Sequence, residues 1–110
     1  MASLWNVQIL PGARRQLRKL DEDVRLDADQ AIAELSEEPF PFDSVPMQGY
    51  SGLYRVKFHG GRYRVVYQVK PKTRRIFITR VGPRDSVYEG LRKPGLKPQG
   101  SSRSGTDSQS

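Results

Sequence analysis

The residues best suited to chemistry in this sequence are positively charged side chains on two neighbouring predicted strands. The segment YRVKFHGGRYRVVYQV covers residues 54–69, and its two glycines predict a two-residue hairpin turn at 60–61. That register places Lys57 directly opposite Arg64. Like charges opposite each other destabilise a sheet, on the scale of roughly 0.2–1 kcal/mol for a cross-strand pair. The pattern therefore favours a functional reason for keeping both cations.

Clustered cations bind phosphate, and they stabilise the additional negative charge that phosphorus carries while RNA is cleaved. One preorganised donor of this kind contributes roughly 3 kcal/mol in oxyanion sites, more than the cross-strand penalty. Arg55 shares the face of Lys57 because strand side chains alternate. Arg84 and Tyr88 follow the predicted third strand and reach the same surface if that strand borders the hairpin. We expect the contacts with RNA to come from Arg55, Lys57, Arg62 and Arg80.

A solvated basic sheet face is the competing interpretation, because exposed lysines and arginines are ordinary surface residues. His59 lies at the turn, where a lone histidine is more often a surface residue than a general base. Tyr88 needs help from neighbouring cations to donate a proton, since unperturbed phenols titrate near pH 10. Trp5, Phe42 and Tyr50 are interpreted as packing residues.

Apolar alternation and helical spacing predict the elements that position these side chains. In the hairpin strands, large apolar residues alternate with basic or polar ones, so one face is apolar and the other basic. Ala13 and Leu17 recur at helical spacing after Pro11, which suits the first turn of a helix. The predicted elements are a strand at 4–10, helices at 12–20 and 21–36, a Pro- and Gly-rich connection at 39–52, strands at 53–59, 62–70 and 75–81, and a last helical turn at 85–91.

This order predicts one α+β domain with the topology β-α-α-β-β-β-(α). We expect the helical hairpin to pack on one face of a mostly antiparallel, twisted sheet, above the tyrosines and valines of the strands. The opposite face then stays open and carries the cations. The domain is expected to span residues 1–91. The basic tail at 92–110 is rich in Gly, Pro and Ser and is expected to be disordered, since it holds one large apolar side chain.

Composition narrows the functional classes. The chain has 110 residues, a formal net charge of +7 and no cysteine, which excludes disulfides and thiolate metal sites. With His59 as the single histidine, we expect neither a metal site nor a cofactor. Residues 55–84 hold ten basic residues and no acidic one, whereas residues 11–38 hold five basic and eight acidic residues. We expect a polyanionic partner for the basic half, and the lack of a leader or a long apolar run favours the cytoplasm.

Two motifs together resemble a known family. LYRVKFHGGRYRVVYQV, followed by ITRVGPRDSVYEGL, is similar to the RelE/ParE superfamily of bacterial toxins from type II toxin–antitoxin pairs, over roughly residues 3–91. The RelE branch implies a ribosome-dependent endoribonuclease that cuts mRNA in the A site. The ParE branch implies a toxin that acts on DNA gyrase. The resemblance also implies a cognate antitoxin, whose acidic, partly helical segment would neutralise the site either by lying over the basic face or by displacing the C-terminal helix.

Within the RelE branch, the resemblance implies roles for five residues. Arg55 and Lys57 match the two basic positions of the first hairpin strand, and arginine at 55 keeps the charge without readily transferring a proton at neutral pH. Arg64 matches the arginine that stabilises the transition state. Arg84 matches the later catalytic arginine, and Tyr88 the tyrosine implicated in positioning or proton transfer. The implied reaction is attack of an RNA 2′-hydroxyl on the adjacent phosphorus, with the ribosome orienting the substrate.

Two other functions stay open. A ParE-like toxin would bind a protein target such as gyrase without hydrolysis and needs no catalytic cations. A noncatalytic RNA-binding domain would use the same basic face. It would be favoured by aromatic side chains spaced for base stacking on that face, whereas the strand tyrosines alternate toward the predicted core.

Overall fold

The structure, a computed structural model, describes residues 4–88 and confirms the predicted order of elements. A short fifth strand, β2, is added inside the predicted connection. The predicted tail and the end of the predicted last helix lie outside the described residues, and residues 84–88 form turns. The elements are β1 (Asn6–Ile9), α1 (Pro11–Arg18), α2 (Glu22–Glu37), β2 (Val45–Pro46), β3 (Leu53–Phe58), β4 (Tyr63–Lys70), a 3-10 turn (Pro71–Thr73) and β5 (Arg75–Pro83).

The five strands form a single sheet in the order β1-β5-β4-β3-β2. Strand β1 runs parallel to β5, and every other neighbouring pair is antiparallel. The chain reaches β3, β4 and β5 through short connections, which suits antiparallel neighbours. The predicted mostly antiparallel sheet is therefore confirmed, with the hairpin strands β3 and β4 beside β5.

Both helices begin and bury their apolar stripes as the local sequence requires. Pro11 occupies the first turn of α1, where its missing N–H leaves no intrahelical bond unmade. Glu22 and Asp23 lie in the first turn of α2 and complement the positive end of its dipole. The buried residues of the two helices are Ala13, Leu17, Val24, Ala28, Ile32 and Leu35. Within residues 4–88, neither helix is long and apolar enough to cross a membrane.

The main core lies between the helices and one face of the sheet. Tyr67 is fully buried there, its ring stacks on Tyr54 at 5.9 Å, and its hydroxyl donates to the Pro39 carbonyl at 2.9 Å. The alternation predicted for the hairpin strands is confirmed, because the apolar face packs under the helices. The strand residues buried in this core are Val56, Phe58, Val65, Tyr67, Val69, Ile76, Ile78 and Val81.

A β-bulge in β5 changes which side chains join the core. Tyr67 pairs with Ile78 and Val66 pairs with Arg80, so Thr79 is the extra residue. The Thr79 hydroxyl donates to the Val66 carbonyl at 3.0 Å. Without the bulge, strict alternation would put residues 78 and 81 on opposite faces. With it, both side chains are buried under the helices.

The face opposite the helices is not uniformly basic, in contrast to the sequence-based expectation. Leu53, Val66 and Val87 form a second buried cluster on it, with Met47, Tyr50 and Tyr88 packed against them. The chain after β5 therefore crosses back over the middle of this face. The interpretation of Trp5 and Tyr50 as packing residues is confirmed. The same interpretation is wrong for Phe42, which is 105% exposed.

Replacing Tyr67 with phenylalanine tests the core hydrogen bond. Burial raises the pKa of Tyr67 to about 12, above the ordinary value near 10. The folded protein therefore binds this proton more tightly than the unfolded chain. That contribution is fully present below pH 10 and is lost between pH 10 and 12. We expect Tyr67→Phe to lower the free energy of unfolding by about 1–3 kcal/mol at pH 7, because the Pro39 carbonyl loses its donor.

Urea denaturation of both proteins at pH 7 and at pH 11 measures this effect. The difference between them should shrink at pH 11, since only the unaltered chain carries the Tyr67 phenol. Tyr50→Phe is the matched control, because within residues 4–88 the Tyr50 hydroxyl has no hydrogen-bond partner. A Tyr67→Phe protein as stable as the unaltered chain at pH 7 would contradict the assignment.

Candidate functional site: a cationic pocket on the open face

The β3–β4 turn has the geometry that its two glycines predict. Gly60 and Gly61 have φ values of 66° and 84°, and the Arg62 N–H donates to the His59 carbonyl at 3.3 Å. Positive φ at both glycines is what a type I′ hairpin turn requires, and His59 before them also has a positive φ, so the turn covers residues 59–62. Lys57 pairs with Arg64 as predicted. The two like charges are therefore held side by side on adjacent strands.

A pocket of about 200 Å³ opens beside this pair of cations. Its basic residues are Arg55, Lys57 and Arg64, which the sequence analysis assigned to one face. Its other two lining residues are Asp43 and Val45, which come from the connection before β3. Three cations from two paired strands need little reorganisation to meet an anion, because the sheet fixes their spacing. The structure thus brings three of the five predicted catalytic residues together.

Arg64 is held by the turn that precedes it. Its Nη1 donates to the Gly61 carbonyl at 2.6 Å and to the Tyr63 carbonyl at 3.2 Å. Two carbonyl dipoles at the guanidinium reduce its repulsion with Lys57. Guanidinium carries five N–H donors, and within residues 4–88 the donors on Nε and Nη2 form no hydrogen bond. Arg64 is therefore oriented by the protein and keeps donors for a ligand.

Tyr88 reaches the same region, as predicted. Arg55 Nη1 donates to the Tyr88 hydroxyl at 3.4 Å, and the guanidinium carbon lies 5.8 Å from the centre of the Tyr88 ring. The turns at 84–88 make this contact possible, because they return the chain over Val66 and bury Val87 against it. Arg55 thus links the cationic pocket to the end of the described chain.

Arg84 lies at the turn end of the hairpin and does not line the cationic pocket. The backbone N–H of Arg84 donates to the backbone carbonyl of Arg62 at 2.9 Å. Its side chain is 65% exposed, with Nε 3.6 Å from an Asp85 carboxylate oxygen. Exposed pairs of this kind contribute little energy, so the guanidinium is free to change partners.

Arg62 and Arg80 line two other pockets. Arg62 borders a pocket of about 310 Å³ that it shares with His59, Asp21 and Asp23, on the side of the helices. Arg80 lines a pocket of about 340 Å³ between β5 and α1, with Arg15 and Lys19 among its lining residues. The RNA contacts predicted for these two arginines would therefore lie away from the cationic pocket. Their role stays a prediction.

Asp43 is the pocket residue that sequence reasoning missed. It lies outside the hairpin, in a connection with no regular pattern, so only the tertiary structure shows its position. Val45 pairs with Arg55, and Asp43 lies two residues earlier in a turn, where it lines the pocket together with Lys57. Within residues 4–88, the Asp43 carboxylate forms no ion pair. The pocket therefore presents one hydrogen-bond acceptor among three cations.

His59 connects the hairpin turn to the helices. Its Nδ1 lies 2.7 Å from an Asp27 carboxylate oxygen on α2, and its backbone has a left-handed φ of 53°. That conformation is uncommon for a residue other than glycine and is held here by surrounding contacts. His59 is part of the turn that supplies the Gly61 carbonyl to Arg64. The described contacts of His59 are structural.

Comparison with known proteins shows similarity to RelE and ParE toxins in both sequence and fold. A sequence model of the family described as the ParE toxin of the type II toxin–antitoxin system parDE matches residues 7–88. The chain is 30% identical over 73 residues to the mRNA interferase toxin RelE of Escherichia coli. The aligned region covers 66% of this chain and 76% of that protein.

Solved structures of RelE toxins resemble this chain at a comparable level of sequence identity. The isolated Escherichia coli RelE toxin superimposes with a TM-score of 0.64 at 28% identity, covering 76% of this chain and 90% of that one. RelE in the archaeal RelE–RelB complex from Pyrococcus horikoshii superimposes with a TM-score of 0.63 at 28% identity, covering 76% and 98%. The chain belongs to the RelE/ParE toxin superfamily.

Replacing Lys57 with glutamine tests whether the opposed cations cost stability. Lys57 is exposed, so the change removes a charge without removing core packing. We expect Lys57→Gln to leave the free energy of unfolding unchanged or to raise it by up to about 1 kcal/mol, because Arg64 loses a like charge opposite it. Urea denaturation at low and high salt measures this, and any gain should shrink with salt.

Lys72→Gln is the matched control, since Lys72 is an exposed lysine outside the hairpin strands. A Lys57→Gln protein clearly less stable than this control would show that the pair is not repulsive.

Proposed function

We propose that this chain is the toxin of a type II toxin–antitoxin pair and that it cleaves mRNA in the ribosomal A site. The observation that carries the proposal is the pocket in which Arg55, Lys57 and Arg64 converge on a fixed sheet surface. Relatives that share this fold are named mRNA interferases. A pocket of cations is suited to phosphate, and cleavage of RNA adds negative charge at phosphorus.

The proposed reaction is the one that the resemblance to RelE implies, and the cations of the pocket support it. The 2′-oxygen of the substrate loses its proton to a water molecule and bonds to the adjacent phosphorus. The bond from phosphorus to the 5′-oxygen breaks, and that oxygen takes up a proton. The products are a 2′,3′-cyclic phosphate and a 5′-hydroxyl. Arg64 and Lys57 stabilise the phosphoryl oxygens as their negative charge grows, which is the largest contribution available to side chains that stay protonated.

Tyr88 is proposed to position the leaving group and give a proton to the 5′-oxygen. The hydrogen bond from Arg55 to the Tyr88 hydroxyl supports this role, because it ties the hydroxyl to the edge of the pocket. Arg84 is proposed to approach the phosphate when RNA is bound, and its high exposure and weak pairing with Asp85 allow it to do so. The ribosome is proposed to hold the substrate in line, so naked RNA is cut weakly or not at all.

A cognate antitoxin is proposed as the protein partner. The RelE proteins of Pyrococcus horikoshii and Escherichia coli have been solved in complexes with RelB. For this chain, an acidic antitoxin segment over the basic face would neutralise the pocket by charge and by covering it. Association would then weaken with rising ionic strength, as expected for a charge-steered complex.

A ParE-like activity is the second candidate, favoured by the family model that matches residues 7–88. Such a toxin would bind a protein target such as DNA gyrase and hydrolyse nothing. Binding without hydrolysis needs no catalytic cations, so this candidate does not explain why Lys57 lies opposite Arg64 at a cost in stability. A supercoiling assay with gyrase separates this candidate from the nuclease.

Arg64→Ala tests the nuclease directly. In a purified translation system, primer extension on the mRNA should show discrete cuts within the A-site codon with the unaltered chain and none without ribosomes. We expect Arg64→Ala to slow cleavage by roughly 100- to 1000-fold, the effect of removing one preorganised donor. Arg18→Ala is the matched control, because Arg18 is exposed at the end of α1. Absent cuts together with inhibited gyrase would favour the ParE-like activity.

Tyr88→Phe separates the hydroxyl from the ring. Phenylalanine keeps the apolar contact with Val66 and Leu53 and the face beneath the Arg55 guanidinium, so the fold is retained. If the hydroxyl transfers the proton, the single-turnover cleavage rate on ribosomes should fall by roughly 100-fold or more. An unchanged rate would show that Tyr88 acts only by packing.

A further inference from the structure

Phe42 is an exposed aromatic residue directly before a residue that lines the cationic pocket. Its side chain is 105% exposed, although the ring is large and apolar. Single exposed apolar residues are common, so exposure alone assigns no role. The next residue along the chain, Asp43, lines the pocket with Lys57 and Arg64. The exposed ring is therefore one residue away from the proposed phosphate site.

The turn that carries Phe42 is held in place at both ends. The Ser44 N–H donates to the Pro41 carbonyl at 2.9 Å, which closes a four-residue turn over residues 41–44. On the side nearer α2, the buried Tyr67 hydroxyl holds the Pro39 carbonyl, and the Phe40 ring packs edge-on against Tyr54 at 5.1 Å.

On the other side, β2 is paired with β3, with Val45 opposite Arg55. The turn is thus fixed to the same strand that supplies two of the pocket cations. Residues 42 and 43 form the turn just before β2, and Asp43 in this turn lines the pocket together with Lys57. The exposed Phe42 ring is the neighbouring side chain on the same tethered turn.

We propose that Phe42 is a base-stacking residue and that, together with the cationic pocket, it forms a subsite for one nucleotide of single-stranded RNA. The phosphate binds to Arg55, Lys57 and Arg64, and the adjacent nucleobase lies on the Phe42 ring. This inference rests on the proposed function for the choice of RNA as the polyanion. A nucleotide offers a charged group and a flat aromatic surface at neighbouring positions, as this site requires.

Asp43 supports a nucleotide over a simple polyanion. A carboxylate at the pocket disfavours additional phosphate, but it accepts hydrogen bonds from the amino groups of nucleobases. Asp43 follows Phe42 directly and lines the pocket, so the acceptor lies near the cations that bind the phosphate. An acidic peptide would gain from the cations and lose at Asp43, and its acidic side chains offer no aromatic surface to the Phe42 ring.

Binding of an uncleavable RNA to the full chain tests the proposal. The probe is a fluorescein-labelled hexaribonucleotide with 2′-O-methyl groups at every position, which lacks the attacking hydroxyl, and the readout is fluorescence anisotropy. We expect Phe42→Ala to weaken binding by roughly 5- to 150-fold, the effect of removing one stacking partner. Phe42→Trp should bind at least as tightly as the unaltered chain, and Phe42→Leu should resemble Phe42→Ala.

Two controls isolate stacking from charge and from general apolar surface. An abasic oligomer with the same number of phosphates should bind equally to the unaltered chain and to Phe42→Ala. Leu26→Ala, which removes another exposed apolar side chain (58% exposed) on α2, should bind the hexamer as the unaltered chain does. The variants should unfold at the same urea concentration, because Phe42 contributes no buried surface.

The proposal is overturned if Phe42→Ala binds the hexamer within twofold of the unaltered chain, if the unaltered chain does not bind it, or if Phe42→Leu binds as well as Phe42→Trp. It is also overturned if Phe42→Ala loses the antitoxin but keeps RNA. The ribosome assay is read separately. A chain that binds RNA through Phe42 yet cuts no mRNA retains the stacking site and loses the nuclease. If the chain cuts mRNA and Phe42→Ala changes neither cleavage nor RNA binding, the nuclease is supported and the stacking site is overturned.

Discussion

The tight turn at 60–61 is the constraint on which the rest of the site depends. Its two left-handed glycines set the pairing of β3 with β4, and this pairing decides which side chains share a face. A shift of β4 by one residue against β3 would turn Arg64 toward the helices, away from Lys57, and would expose Tyr67. The same turn supplies the carbonyl that orients Arg64. Register and site geometry therefore have a common origin.

The two faces of the sheet are stabilised in different ways. Under the helices, apolar burial around Tyr67 excludes water and makes the strands rigid. On the opposite face, a small cluster around Val66 holds the returning chain and brings Tyr88 to Arg55. The cations next to this cluster gain no stability from each other. A rigid apolar face behind them is what allows like charges to remain close together.

The connection between α2 and β3 joins the two halves of the molecule. Tyr67 binds the start of this connection from inside the core, and β2 fixes its end to the edge of β3. Residues 41–44 between these anchors include the exposed Phe42 and Asp43, which lines the pocket. A short turn held at both ends therefore connects the core to the residues of the pocket.

Local patterns in the sequence were sufficient to predict the helices, the hairpin and the face on which Arg55, Lys57 and Arg64 lie. Alternation, helical spacing and a two-glycine turn each act over only a few residues. Tertiary structure alone decided the bulge at Thr79, the contact of Tyr88 with Arg55, and the positions of Phe42 and Asp43. Each of these depends on pairing between segments distant in sequence, where the free energy comes from long-range burial and hydrogen bonding and leaves no local periodicity to read.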